Sequence, residues 1–304
     1  MSFAGLRARL AAPLIAAPMF LVSGVELVVA ACKAGVIGSF PTANCRTSEE
    51  LDAWLGEMRR RLAGTNSAPI CPNLIVHKSN ARLASDLEVV LRHAPEIVIT
   101  SVGPPTPVVG PLHEAGALVF ADVATVLHAR KALAAGADGL VLLTAGAGGQ
   151  TGWLNPFAFV RAVRELYAGP LVMAGGISDG RALRAAVVLG CDLAYMGTRF
   201  IATTESMAPP AYKEMLVTSS IDDVVLTKAF TGLATNMLRP SIVAAGLDPD
   251  ALPERGGIDI TKDINPDAPK RWKDIWSAGH TVSGTHAIVS VADLVATTVA
   301  EYEG

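Results

Sequence analysis

Residues 141–156 read VLLTAGAGGQTGWLNP. An apolar run ends in four glycines within seven residues, Gly146 to Gly152, and a new helix start follows at Asn155-Pro156. Asparagine suits the cap of a helix and proline its first turn, because the cap carbonyl takes up free N–H groups and proline has none to lose. The stretch is therefore a strand, a backbone-dense turn and a helix. The same unit recurs along the chain.

Working outward, short apolar runs stand at 14–17, 36–39, 70–76, 96–101, 117–121, 139–143, 170–174 and 192–196, each bounded by Gly, Pro or Asp. Segments of helical length and period lie between them, at 24–34, 48–63, 80–93, 124–135, 156–167 and 179–189, with a shorter, Pro-rich one at 103–115. Strands apolar on both faces that alternate with helices imply a parallel sheet covered on both sides. Eight such units predict an α/β fold closed as a (β/α)8 barrel. A doubly wound open sheet is the rival, but it wants a nucleotide fingerprint in its first strand-to-helix turn, and APMFLVSG at 17–24 has no G-x-G-x-x-G. After the eighth strand the last helix is delayed until AIVSVADLVATTVAE at 287–301. Residues 205–276 are thus expected to form a small inserted lid domain over the strands' C-terminal ends. Residues 1–204 would be the barrel, and 277–304 would return to complete its wall.

The 304 residues are 51% hydrophobic and 17% charged, enough to bury a large core. A net charge of −3, with no basic run beyond Arg59-Arg60-Arg61, argues against nucleic acid as a partner. The apolar start MSFAGLRARLAAPLIAAPMF lacks a cleavage pattern and is too short and Pro-interrupted to span a bilayer, so it reads as the first strand of a cytoplasmic protein. Four cysteines, Cys32, Cys45, Cys71 and Cys191, lie far apart without C-x-x-C or ligand-spaced histidine, which signals neither disulfides nor zinc.

In a barrel the turns after the seventh and eighth strands form the usual phosphate site. Here they are MAGGISDG at 173–180 and MGTRF at 196–200. Gly175 and Gly176 allow close backbone approach, Ser178 or Asp179 can cap the next helix, and Thr198 and Arg199 can supply a hydroxyl and a guanidinium. The stretch at 141–156 fits no dinucleotide cradle, since the third fingerprint glycine would fall on Thr151. It is either a ligand-facing loop at the barrel mouth or a plain tight connection.

APMF at 17–20, PNLIVH at 72–77, FADV at 120–123, AGAGGQTG at 145–152, AGGIS at 174–178 and MGTRF, in that order and spacing, resemble the nitronate monooxygenase family, formerly called 2-nitropropane dioxygenases. The likeness covers 13–200 and resumes at FTGLATNMLRPS and WSAGH. It implies a TIM barrel with a lid domain that binds FMN, in a family that also holds flavin-dependent enoyl-acyl-carrier-protein reductases. It would set Ala17, Pro18 and Met19 against the isoalloxazine edge, Asn73 as a hydrogen-bond partner of the ring and Asp122 near the end of the fifth strand. Gly148 and Gly149 would lie by the ring, and Ala174, Gly175, Gly176, Met196, Gly197 and Thr198 about the phosphate. Each has a plainer reading. Met19 could be core and Asp122 a helix cap, whereas an amide such as Asn73 inside an apolar strand demands a hydrogen-bond partner.

The chain departs from that family's pattern at one place. Members that oxidise nitroalkanes carry A-G-G-H-x-G, and here AGGQTG sets Gln150 where the histidine stands. Glutamine can hydrogen-bond a nitro group but cannot accept a proton near neutral pH. Of six histidines, His280 in SAGHTV is the candidate substitute base, with a structural role as the alternative; His77, His93, His113, His128 and His286 lie elsewhere. Three functions remain open: oxidation of alkyl nitronates by O2 through FMN, NAD(P)H-dependent reduction of an enoyl thioester or quinone, and flavin binding without catalysis. The partners expected are a small-molecule substrate and O2, with NAD(P)H in the reductase reading, neither nucleic acid nor membrane, and a homodimer as an admissible assembly.

Overall fold

The structure is a computed structural model and describes residues 2–230, 232–253 and 274–304. Eleven strands are described: β1 (Leu14–Ala16), β2 (Ile37–Pro41), β3 (Ile70–Ile75), β4 (Ile97–Ser101), β5 (Leu118–Val123), β6 (Gly139–Leu143), β7 (Gly149–Gln150), β8 (Leu171–Ala174), β9 (Leu193–Met196), β10 (Val224–Thr227) and β11 (Thr235–Leu238). Eight of them close into a parallel barrel in the order β1-β2-β3-β4-β5-β6-β8-β9. The predicted (β/α)8 fold is therefore what the chain forms.

Alternation along each strand sends every second side chain inward. Ile15, Ile37, Cys71, Ile97, Ile99, Phe120, Val141, Val172 and Leu193 fill the interior and are fully buried. The fit is tight enough to dictate composition. Phe120 occupies the space beside β6, and a Cβ on Gly139 would lie 2.6 Å from its ring, so a glycine has to face it. The chain's first helix, Phe3–Arg7, which the sequence reading merged with the first strand, plugs the lower mouth: Leu6 is buried and the Phe3 ring lies 6.1 Å from that of Phe120.

The outer helices begin where capping chemistry allows. Thr47, Thr125, Asp179 and Ser290 each accept a backbone N–H of the first turn, and Asn155 does so ahead of Pro156. Asp122 is therefore not the cap of the helix after β5, which Thr125 supplies. The last helix, Val291–Glu303, packs on helices Gly180–Leu189 and Val25–Lys33 and completes the ring. Arg184 ties it down by donating to the carbonyls of Glu301 and Tyr302 at 3.1 and 2.9 Å, and Glu301 accepts the Gly180 N–H at 3.0 Å.

Between β9 and that helix the chain builds a second, smaller layer. Helix Pro210–Thr218, strands β10 and β11 and helix Arg239–Ala244 lie there. The sheet it forms has the order β10-β11-β7, antiparallel, so its third strand is borrowed from the turn after β6. Most of the loop GLDPDALPERGGIDITKDINPDAPKRW lies outside the described residues. All four cysteines are buried and free. No described helix is long and apolar enough to cross a membrane.

The contact at Gly180 is testable. A methyl there would overlap the Thr298 carbonyl and the Tyr302 N–H. Gly180→Ala is expected to destabilise the protein by about 1–3 kcal/mol, read as a lower thermal midpoint. Gly56→Ala lies inside helix Ser48–Leu62, and its Cβ would meet nothing nearer than His93 at 3.9 Å. That change should stabilise by about 0.5–1 kcal/mol.

Candidate active site

At the C-terminal ends of the barrel strands lies a cavity of about 590 Å3, roofed by the inserted layer. That is the size of a pocket for a small organic ligand. Its first wall is the loop after β1. Ala17 is fixed by its N–H to the Met196 carbonyl at 3.0 Å, and Ser23 Oγ accepts the Met19 N–H at 3.1 Å. Asn44 clamps the same loop, donating to the carbonyls of Met19 and Ser23 and accepting the Leu21 N–H at 2.9 Å. Leu21 is held there at φ 59°, an uncommon conformation for a branched side chain, and Val102 across the cavity at φ 61°.

The opposite wall is backbone. Gly175 and Gly176 take φ of +117° and +80°, and a Cβ on Gly175 would lie 2.6 Å from Thr144 Oγ1. Beside Gly176 no protein atom comes closer than 4.0 Å to an added Cβ. Gly197 lies against Met19 and Ala17, where a Cβ would sit 3.6–3.7 Å from their side chains. The Thr198 hydroxyl is already engaged, accepting the Gly279 N–H at 3.0 Å. Arg199, proposed as a guanidinium for the phosphate, is spent on the carbonyls of Ser178 and Gly284 at 3.1 and 2.8 Å and does not line the cavity.

The floor is polar. Asn73 is buried and bonded within the protein, accepting from Ser101 Oγ at 3.3 Å and donating to the Ile99 carbonyl at 3.5 Å. Tyr195 is buried, with no partner for its hydroxyl. Asp122 has no partner for its buried Oδ1, and burial pushes its carboxyl up to about 7.

The mouth is where the inserted layer meets the barrel. Gly149 and Gln150 form β7 and pair with Asn236 and Thr235 of β11, the Thr151 N–H donates to the Ala234 carbonyl at 3.0 Å, and Asn236 Nδ2 donates to the Ala147 carbonyl at 2.7 Å. Tyr212 and Trp276 stack with centroids 5.0 Å apart above the cavity, and the Tyr212 hydroxyl donates to the Ser277 carbonyl at 2.6 Å.

The structure gathers Ala17, Pro18, Met19, Asn73, Asp122, Gly148, Gly149, Gln150, Ala174, Gly175, Gly176, Gly197 and Thr198 around this one space. Besides Arg199, two predicted residues lie elsewhere. Met196 is fully buried against the helical layer, because alternation on β9 turns it outward while its neighbour Tyr195 points in. His280 is exposed and is not among the lining residues, its ring lying against Gly146, where a Cβ would meet Nδ1 at 2.6 Å. No His, Lys or Arg is among the described residues of the lining. Sequence reasoning passed over Phe20, Leu21, Ser101, Tyr195, Tyr212 and Trp276. For Tyr195 the signal was present: a phenol in the apolar run DLAYM, two residues on from an inward leucine.

Asp122 makes stability depend on pH. The native carboxyl keeps its proton up to about pH 7, whereas the unfolded chain loses it near the ordinary 3.8. Between those values the native state binds more protons than the unfolded state, so stability falls as pH rises through the window and the loss is complete above it. For the ligand-free protein, the thermal midpoint of Asp122→Asn should exceed that of the parent by on the order of 5 °C at about pH 8 and converge with it near pH 4. A constant offset at all pH would contradict this.

Comparison with known proteins agrees with the geometry. The sequence model of the family described as nitronate monooxygenase matches residues 75–301. The (3aS,4S,5R,7aS)-5-hydroxy-7a-methyl-1-oxo-octahydro-1H-indene-4-carboxyl-CoA dehydrogenase of Mycobacterium tuberculosis is 31% identical over 76% of this chain, and the match spans 64% of that relative's own length. A nitronate monooxygenase of Pseudomonas aeruginosa is 28% identical, with 96% of each chain covered. Among solved structures, FabK from Thermotoga maritima superposes with a TM-score of 0.80 at 25% identity, over 98% of this chain and 94% of that one. The nitroalkane oxidase from Streptomyces ansochromogenes shares the fold, with a TM-score of 0.79 at 23% identity over 98% of this chain and 97% of that one. A barrel with its cavity at the strands' C-terminal ends, matched by that family over most of its length, identifies the chain as a member of the nitronate monooxygenase family of oxidoreductases.

Proposed function

We propose that this protein binds FMN in the cavity and oxidises alkyl nitronates with O2 to a carbonyl compound and nitrite. The observation that carries the reading is the make-up of the lining: a glycine-built backbone cradle on one side, Gln150 at the mouth, and no His, Lys or Arg among the described residues between them. The residues present fit a flat, phosphate-bearing group. The open face of Gly176 leaves room that any side chain would fill, and the backbone of Gly176, Gly197 and Thr198 would receive the phosphate. When bound, the flavin supplies the electron transfer.

The chain's own residues do the remaining work. Ala17, Pro18 and Met19 close one side of the slot on a loop that Asn44 holds rigid. Tyr212, Trp276 and Leu233, on the layer read as a lid domain, shield the cavity from water. Gln150, fixed in β7, offers its amide N–H groups to the nitro oxygens. It cannot remove a proton from carbon, and His280 is not among the residues that line the cavity. A nitronate needs no such step, because its carbon has already lost that proton.

A second reading, redox chemistry on an acyl thioester, is favoured by the relative named as an indene-4-carboxyl-CoA dehydrogenase and by the half-exposed apolar rim of Phe20 and Leu21 at the mouth. NAD(P)H consumption with an enoyl thioester separates it from the first.

The purified protein should be yellow and release FMN on heating; a colourless protein that takes up no FMN would end the reading. Gly176→Asp sets a carboxylate against the phosphate and should weaken FMN binding by at least about tenfold relative to Gly176→Asn, which shares its backbone strain without its charge. The parent should turn over pre-formed propyl nitronate and leave neutral nitropropane nearly untouched. Gln150→His should raise the rate on the neutral compound by about 10²-fold or more, and far less on the anion. Equal parental rates on both forms would mean that another group supplies a base.

A further inference from the structure

Four buried side-chain polar atoms among the described residues have no hydrogen-bond partner, and two of them, Asp122 Oδ1 and Tyr195 Oη, belong to residues that line the cavity floor. The Asp122 carboxyl stands alone in a stronger sense. It comes from β5 into the barrel mouth, no guanidinium, ammonium or imidazole lies among the described lining residues, and the nearby Asn73 amide is already engaged with β3's neighbour β4. The ionisable groups that feel its charge are Cys71 on β3 and Tyr195 on β9; both are buried, and ionising either would only add negative charge. A carboxylate in that place would set a half-buried anion, one oxygen of it fully buried, against no counter-charge among the described lining residues, which costs more than a neutral acid.

A neutral carboxyl has a different need. Its O–H is a donor, and the buried Oδ1 finds no partner in the protein. An unmet donor at the bottom of a pocket is met by what fills the pocket.

We propose that Asp122 works as an uncharged carboxylic acid, donating a hydrogen bond from the cavity floor to an acceptor atom, a carbonyl oxygen or ring nitrogen, on the edge of the planar group bound above it. The inference rests on the FMN reading given above. It makes Asp122 a pH-sensitive binding residue: ionisation removes the donor and sets a negative charge against an acceptor edge, so affinity falls as the proton leaves.

The test compares flavin affinity in the parent and in Asp122→Asn, whose amide keeps a donor at every pH. Riboflavin and FMN binding, followed by quenching of flavin fluorescence from about pH 5.5 to about pH 9, gives dissociation constants; riboflavin removes any contribution from the phosphate. The ratio of parent to Asp122→Asn constants should be flat in acid and rise about tenfold through neutrality for both ligands. The infrared spectrum of the parent at about pH 6 should show a protonated-carboxyl band that is missing in Asp122→Asn and shifts when riboflavin binds. Riboflavin binding that is independent of pH in the parent, with no such band, would overturn the proposal and leave the FMN reading intact. Failure of both proteins to bind FMN would instead remove the reading on which it rests. Should Asp122→Asn not fold, the parental riboflavin profile and carboxyl band decide alone.

Discussion

Pairing between β1 and β9 joins the first strand to the last strand of the barrel, and every group at the cavity takes its place from that closure. Leu14, Ile15 and Ala16 run beside Ala194, Tyr195 and Met196, and the ladder continues one step further through the Ala17 N–H. That extra bond brings the first loop to the glycine turn after β9. Without it Met19 would not lie against Gly197. The seam is supported from outside by the last helix, whose close approach over Gly180 depends on the absence of a side chain there. Local backbone geometry, helix packing and the shape of the cavity are thus consequences of one closed ladder.

The barrel was legible because its signal is local and repeated. Apolar runs at 139–143 and 170–174 became β6 and β8 nearly residue for residue, and helix starts at Thr47, Thr125 and Asn155 followed capping chemistry. Ala17, Asp122 and Gly175, which lie at or just past strand ends in the sequence, accordingly fall together on the cavity wall. What escaped depends on contacts remote in sequence. β7 is two residues long and exists because β11, some 85 residues on, pairs with it. Tyr212 and Trp276 meet over the cavity although no local pattern links them. His280 was a candidate base by residue type, but the returning chain sets its ring against Gly146 and leaves it out of the cavity lining. Met196 was a matter of phase: one residue along a strand exchanges inside for outside.

The electrostatics of the cavity restrict the chemistry more than its shape does. A cationic side chain would draw anions strongly and lower the affinity for neutral groups, but the described lining holds none. Negative charge there must be met by oriented N–H groups, which are directional and act at short range. Such a site selects by position. It also leaves Asp122, the single carboxyl of the described lining, without the partner that would keep it ionised.

The sharing of β7 has a consequence for how such a protein can change. Gln150 belongs to the barrel by sequence and to the inserted layer by hydrogen bonding, so the two parts are not interchangeable modules. An insert grafted from a relative would have to offer a strand in the same register, or the side chain at position 150 would be turned to the other face of the sheet. Divergence of the roof and divergence of the turn are therefore coupled, and an altered residue at this position is inherited together with the strand that aims it.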